Sequence, residues 1–171
     1  MAIVEAFSKW LATTNLSWAA RGGYPWIWPT CETLHFVGMA LLIGTVGLLD
    51  LRMLGFARGL PLRPLNRLLP WGIFGFVLNL ATGAVFFSGD PSQYIHNNIF
   101  WWKMAFVVLA GINVALFYLT GLSRRVDEVG SEEDVPPAAR LVAASSLFLW
   151  VGVMYFGRML PYLDPNPRSG V

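Results

Sequence analysis

Four long stretches of the chain carry no formal charge. Seventeen residues separate Glu32 from Asp50, twenty-two separate Arg67 from Asp90, twenty separate Lys103 from Arg124, and seventeen separate Arg140 from Arg158. A helix needs about 20 mostly apolar residues to cross the hydrocarbon layer of a bilayer. The pattern therefore predicts four membrane spans, at about 30–54, 66–88, 98–122 and 139–161. Backbone polar groups in lipid must bond within the segment, so the spans are expected as helices. The alternation of a barrel strand is absent. Ser88-Gly89-Asp90-Pro91-Ser92 reads as a short connection between helices, and the stretch Arg58 to Arg63 with Pro61 and Pro64 reads as another. The fold class expected is all-α, with residues 1–171 forming a single transmembrane domain built on a four-helix bundle.

Residues 2–18 predict a different element. Ile3, Phe7, Trp10, Leu11, Thr14 and Trp18 recur at helical spacing, as in an amphipathic helix lying at the membrane–water interface. Packing of that helix on a partner subunit is the rival reading. Tyr24, Trp26 and Trp28 follow as an aromatic belt at the entry to the first span. Glu5 in place of early positive charge, and the lack of a long apolar core behind it, argue against a secretory signal.

Orientation follows from Lys and Arg. Arg52, Arg58, Arg63 and Arg67 fall on the first connection, and Arg124, Arg125 and Arg140 on the third. The positive-inside rule puts both in the cytoplasm and both termini on the outer side. The acidic run from Asp127 to Asp134 reads as a solvated cytoplasmic loop. The localisation expected is a bacterial inner membrane, as a multi-pass protein.

Composition sharpens this picture. Hydrophobic residues make up 56% of the 171 and charged residues 13%, about half the charge of a soluble domain. The net charge of +2 comes without a basic run, which speaks against nucleic acid as a partner. A single cysteine, Cys31, excludes a disulfide framework within the chain.

The candidate chemistry lies among ionisable residues within the spans, which are costly there and point to function. Counting about 1.5 Å per helical residue, His35 lies roughly 25 Å outward of Arg52. Glu32, Lys103 and Arg158 fall at a similar outer depth, and an ion pair of Glu32 with Lys103 or Arg158 is expected. His96 precedes the third span. Two imidazoles from separate segments suit the axial positions of one haem iron, with Lys103 and Arg158 as propionate partners and Gly38 letting a flat ring approach the backbone. A continuous helix through His96 would leave it about 15 Å outside His35. The haem reading therefore needs an inward bend, or a third span that starts after His96. Otherwise His35 is an interhelical hydrogen-bond partner and His96 a wet loop residue. Cys31, Glu32, His35 and His96 offer a mixed donor set for a metal ion instead, although Cys31 also reads as a small apolar residue. Asn79 and Asn113 are expected as an interhelical amide pair, Gly75, Asn79 and Gly83 as a close-packing face, and Asp50 as the ion-pair partner of Arg52 or Arg67.

Taken together, Glu32-Thr33-Leu34-His35, Gly38, Asp50-Leu51-Arg52-Met53-Leu54-Gly55, Pro70-Trp71, Thr82-Gly83, Tyr94-Ile95-His96-Asn97, Lys103-Met104, Ala110-Gly111-Ile112-Asn113 and Gly157-Arg158 resemble a family of small, uncharacterised bacterial four-helix membrane proteins. The resemblance covers nearly the whole chain and implies the fold, not an activity. More distantly, helix count and histidine placement are similar to b-type cytochrome membrane subunits and to the membrane part of copper-resistance D proteins. The function expected is a membrane b-type cytochrome with one outer haem b on His35 and His96. It would pass electrons between an outer redox partner and quinone in the bilayer. The alternatives are a cofactor-free anchor subunit, with another membrane subunit or a second copy as partner, and a metal-ion binding or transport protein. A reporter fused at Ser131 is expected to read cytoplasmic and one after Val171 external; the reverse result would exchange the two faces.

Overall fold

The computed structural model describes residues 2–56, 59–60, 62–129 and 134–163. Among these every regular element is helical: α1 (Ala2–Ala12), α2 (Asn15–Trp18) and a π-helical turn at Ala19–Gly23, then α3 (Ile27–Leu54), α4 (Leu62–Asn66), α5 (Leu69–Gly89), α6 (Pro91–His96), α7 (Asn98–Leu119), α8 (Leu122–Asp127) and α9 (Pro137–Met159). Four are long and apolar enough to cross a membrane, at Ile27–Leu54, Pro64–Gly89, Asn98–Leu119 and Pro137–Met159. The chain is a multi-pass membrane protein.

Local chemistry explains where the boundaries depart from the expected ones. The span expected to end near 122 stops at Leu119, because Gly121 takes a left-handed backbone (φ +70°) and α8 starts beyond it. The last span begins at Pro137, where the fixed φ of proline suits a first turn. The expected interfacial helix over 2–18 is broken. Thr14 has extended backbone, and its hydroxyl accepts the amide N–H of Ser17, so it caps α2 rather than continuing α1. Another break separates α6 from α7 at Asn97. Its backbone is extended, its side-chain oxygen accepts the Ile99 N–H at 2.9 Å, and its amide donates to the Leu160 carbonyl at 3.2 Å. Asn97 is fully buried and ties the start of α7 to the end of α9.

The four spans form two antiparallel hairpins, α3 with α5 and α7 with α9, joined through packing of α3 on α9. Among the described residues no comparable packing joins α5 to α7. Those two helices are linked at one end by rings, with Phe87 stacked on Phe100 at 5.8 Å and both near Tyr94. At the opposite end Met53, Leu122, Val126, Val135, Ala139 and Ala143 form a small apolar core. In the middle Leu42, Ala110, Leu149 and Trp150 form another. Large apolar side chains such as Phe74, Leu80, Val108 and Leu141 point outward, as a lipid-facing surface requires.

The tightest join is between α3 and α5. A Cβ on Gly75 would stand 2.6 Å from the Gly38 carbonyl oxygen, and one on Gly38 would stand 2.9 Å from the Gly75 oxygen. Both obstacles are main chain and cannot step aside. Gly75→Ala is therefore expected to lower the thermal melting point in detergent, costing about 1–3 kcal/mol as over-packing does. Gly111→Ala meets nothing within 4 Å and should melt no lower than the parent. Equal melting of the two variants would show that the crossing is not tight.

Candidate functional site

One end of the bundle, where α3 and α7 begin and α5 and α9 finish, collects the polar groups singled out in the sequence. His35 lies on α3, two turns into the helix. Its Nδ1 is 2.7 Å from the Thr82 hydroxyl of α5. That hydroxyl has one proton, which it donates to the Leu78 carbonyl at 2.7 Å, with the Asn79 carbonyl also near at 3.2 Å. Thr82 can then only accept from the ring, so Nδ1 carries the imidazole proton and Nε2 keeps a bare lone pair. Phe86, one turn further along α5, meets the imidazole edge-on at 5.4 Å and is itself packed by Trp28 at 5.0 Å. Gly83 leaves the Cε1 side of the ring open, since even a Cβ there would stand 4.0 Å away.

Lys103 of α7 completes the group. Its Cε and Nζ occupy the space that Gly157 of α9 leaves, 3.6 Å from where a Cβ would stand. Among the described residues Lys103 makes no hydrogen bond or ion pair. All four spans therefore place residues at this end of the bundle: an oriented imidazole with a free lone pair and an aromatic neighbour between α3 and α5, and a lysine without an ion-pair partner among the described residues between α7 and α9. That arrangement can ligate a metal through nitrogen and hold an anionic or hydrogen-bond-accepting group beside it.

The other candidates stand elsewhere. His96 is on α6, exposed, with Nδ1 donating to the Ser92 carbonyl at 2.8 Å. The third span does begin after it, but α6 packs on α1, α5 and α7, so the two histidines have separate surroundings. Arg158 is exposed and lies over the Tyr162 ring at 5.6 Å. Gly38 is the crossing point with α5 described above. The expected ion pair of Glu32 is not formed: its carboxylate is exposed and accepts the Trp28 indole N–H at 3.0 Å, one helical turn away. Among the described residues no three His, Cys, Asp or Glu side chains are placed to hold a metal ion, which removes the mixed set of Cys31, Glu32, His35 and His96.

Two further expectations are corrected. Asn79 and Asn113 do not pair. Asn79 donates to the Gly75 carbonyl of its own helix at 2.9 Å, while Asn113 donates to the Val142 carbonyl at 3.0 Å and accepts from Ser145 at 2.9 Å. Packing brings α9, not α5, against Asn113. Asp50 is buried without the expected ion pair: Ser146 of α9 lies near its carboxyl group, and its Oδ2 has no hydrogen-bond partner among the described residues. Arg52, also buried, donates through Nε to the Leu60 carbonyl at 2.6 Å.

Thr82, the acceptor that orients His35, is the site residue whose role sequence reasoning missed. Its depth was available: it lies fifteen residues from Arg67, much as His35 lies seventeen from Arg52.

Four long apolar helices, with half-buried polar side chains gathered at one end, define a helical integral membrane protein with a candidate ligand site at that end. Residues 7–163 match a family of unknown function, DUF6644, and the chain belongs to that family. No curated protein and no solved structure matches it.

An uncompensated cation inside a bundle costs stability. Lys103→Met, which keeps the length and removes the charge, is expected to stabilise the ligand-free protein in detergent by about 1 kcal/mol or more. A lower melting point for this variant would mean that Lys103 has an acceptor within the chain.

Proposed function

We propose that the protein is a membrane b-type cytochrome whose haem iron is held by Nε2 of His35. The observation that carries this reading is the hydrogen bond from Nδ1 to Thr82. A ligating histidine usually donates its second ring nitrogen to a neighbouring acceptor, which fixes the tautomer and the ring plane. The residues present suit the group: a neutral nitrogen donor, a glycine beside the ring, aromatic neighbours, and Lys103 as a charge-assisted partner for a propionate. When bound, the haem supplies one-electron chemistry. His35 fixes the iron side, Thr82 holds the imidazole, and Lys103 balances carboxylate charge in a medium that disfavours it.

The proposed orientation follows the distribution of arginines, with the His35 end outward and both termini on that side. The proposed location is a bacterial inner membrane. The α1 helix then lies at the interface, with Phe7 and Trp10, both well exposed, turned to lipid. A single haem at this end is suited to exchanging electrons between a redox partner at the outer face and quinone in the bilayer. His96 offers a second axial nitrogen from α6, and the spectrum of its variant decides whether it is used. The cofactor-free anchor subunit is the competing reading, and the same experiment separates the two.

Protein purified from haem-sufficient cells is expected to show a Soret band and sharp visible bands on reduction. His35→Ala should abolish them. Thr82→Val keeps the shape but removes the acceptor, and should weaken haem retention about 10- to 100-fold, as loss of such a partner does. Low-spin bands that persist in His96→Ala exclude that residue as a ligand, whereas a high-spin spectrum identifies it. Folded protein that neither contains haem nor takes it up would overturn the cytochrome reading and leave the anchor.

A further inference from the structure

A cavity of about 250 Å³ lies between α1, the turn after α2, and α6, at the same end of the bundle as His35 but outside the four spans. Glu5, Ser8, Lys9 and Ala12 line it from α1. These positions, spaced by three and four, form one helical face. The opposite face carries Phe7 and Trp10, which are 49% and 62% exposed. The helix therefore turns its charged side toward the protein and its aromatic side away. Trp18, Tyr24 and Trp26 extend the exposed aromatic surface nearby, as residues at a membrane–water boundary do.

Charges of both signs converge on this cavity without neutralising one another. Among the described residues neither Glu5 nor Lys9 forms an ion pair or a side-chain hydrogen bond. Arg21 enters from the π-helical turn, with its Nε donated to the Gly89 carbonyl at 2.8 Å. That bond fixes the guanidinium and leaves its terminal amino groups for another partner. Asp90, Ser92 and His96 line the far wall, and the Asp90 carboxylate is engaged as the cap of α6, accepting the Gln93 N–H at 3.3 Å.

We propose that this cavity binds the headgroup of a zwitterionic phospholipid bearing a primary ammonium, that is, phosphatidylethanolamine. Its phosphate meets Lys9 and Arg21, and its ammonium meets the Glu5 carboxylate. The aromatic face of α1 holds the helix at the bilayer surface, where such headgroups are at hand. A single-sign headgroup would satisfy the cations and leave Glu5 opposed by an anion. A choline headgroup has no N–H to donate to Glu5. The proposal does not require a haem at His35.

The test is lipid binding by the full chain in mild detergent, read by native mass spectrometry and by thermal shift. The lipids are phosphatidylethanolamine, phosphatidylglycerol and phosphatidylcholine with identical acyl chains. Phosphatidylethanolamine is expected to bind about tenfold tighter than the other two, the equivalent of one charge-assisted hydrogen bond. Lys9→Gln should weaken all three lipids. Glu5→Gln should erase the preference for phosphatidylethanolamine over phosphatidylglycerol. Both side chains are exposed, and circular dichroism and melting confirm that the variants fold. Equal binding of the three lipids by the parent, or an unchanged preference in Glu5→Gln, overturns the proposal. Full displacement of the lipid by free phosphoethanolamine at equal concentration also overturns it, by making the site one for a soluble zwitterion.

Discussion

The backbone contact between Gly38 and Gly75 sets the geometry on which the rest depends. Ordinary helices pack with axes about 8–10 Å apart, held off by their side chains. Where a Cβ on either residue would reach the other's carbonyl oxygen at under 3 Å, the helices have closed to main-chain contact. Lipid gives no hydrophobic drive for helix association, so dispersion and close packing must supply it. Asn79 donates to the Gly75 carbonyl and fills the seam one turn on. Another turn brings Thr82 level with His35. The short bond between those two is thus a consequence of the glycines. A wider crossing would leave the imidazole without its acceptor and free to change tautomer.

The second hairpin uses glycine differently. On α9 Gly152 receives the Phe106 ring and Gly157 receives the end of Lys103, both from α7. These glycines admit side chains, not backbone. The α7–α9 pair is therefore a surface of sockets, and the α3–α5 pair a seam. Buried Asn97 then fixes the relative height of α7 and α9 by bonding the Leu160 carbonyl, which settles where along the bundle the ammonium of Lys103 sits. Level with it from the other hairpin is His35. The compartment exists because two independently registered hairpins place their polar residues at one depth.

Much of this was legible in the sequence, and the reason is the bilayer. The charge-free runs mark the four spans, because lipid forbids irregular backbone and most charges. The small residues Gly75, Asn79 and Gly83 announce a packing face, and they provide one. Depth along a helix is a matter of counting, so the shared level of His35 and Lys103 could be read as well. Azimuth could not. Arg158 has the right depth but faces outward over Tyr162, Glu32 turns to Trp28, and Asn79 and Asn113 share a depth on helices that do not meet. Which helix neighbours which is decided by the α3–α9 packing, a long-range choice that no local pattern carries. The break at Thr13-Thr14 was hidden for another reason. The apolar periodicity runs through it, and only the capping preference of threonine signals the interruption.

Two ionisable groups inside the spans show what charge costs in this bundle. Asp50 and His35 are fifteen residues apart on α3, roughly 22 Å, and Lys103 lies at the level of His35. Even with both ionised, Asp50 and Lys103 at that separation attract by only about 0.8 kcal/mol at an effective dielectric constant of about 20. Neither can serve as the other's counter-charge, so each must be satisfied where it stands. Asp50 has the Ser146 hydroxyl of the neighbouring α9 close by, although its Oδ2 has no hydrogen-bond partner among the described residues, and buried Arg52 is held by a main-chain carbonyl. Lys103 is offered a glycine gap and a neutral imidazole, which are room and a neighbour but not a counter-charge. A methionine of similar length would fill that gap without the cost of the charge. In the proposed cytochrome, what the ammonium would bring there is a partner for a propionate, at the same end of the molecule as the imidazole and its bare nitrogen.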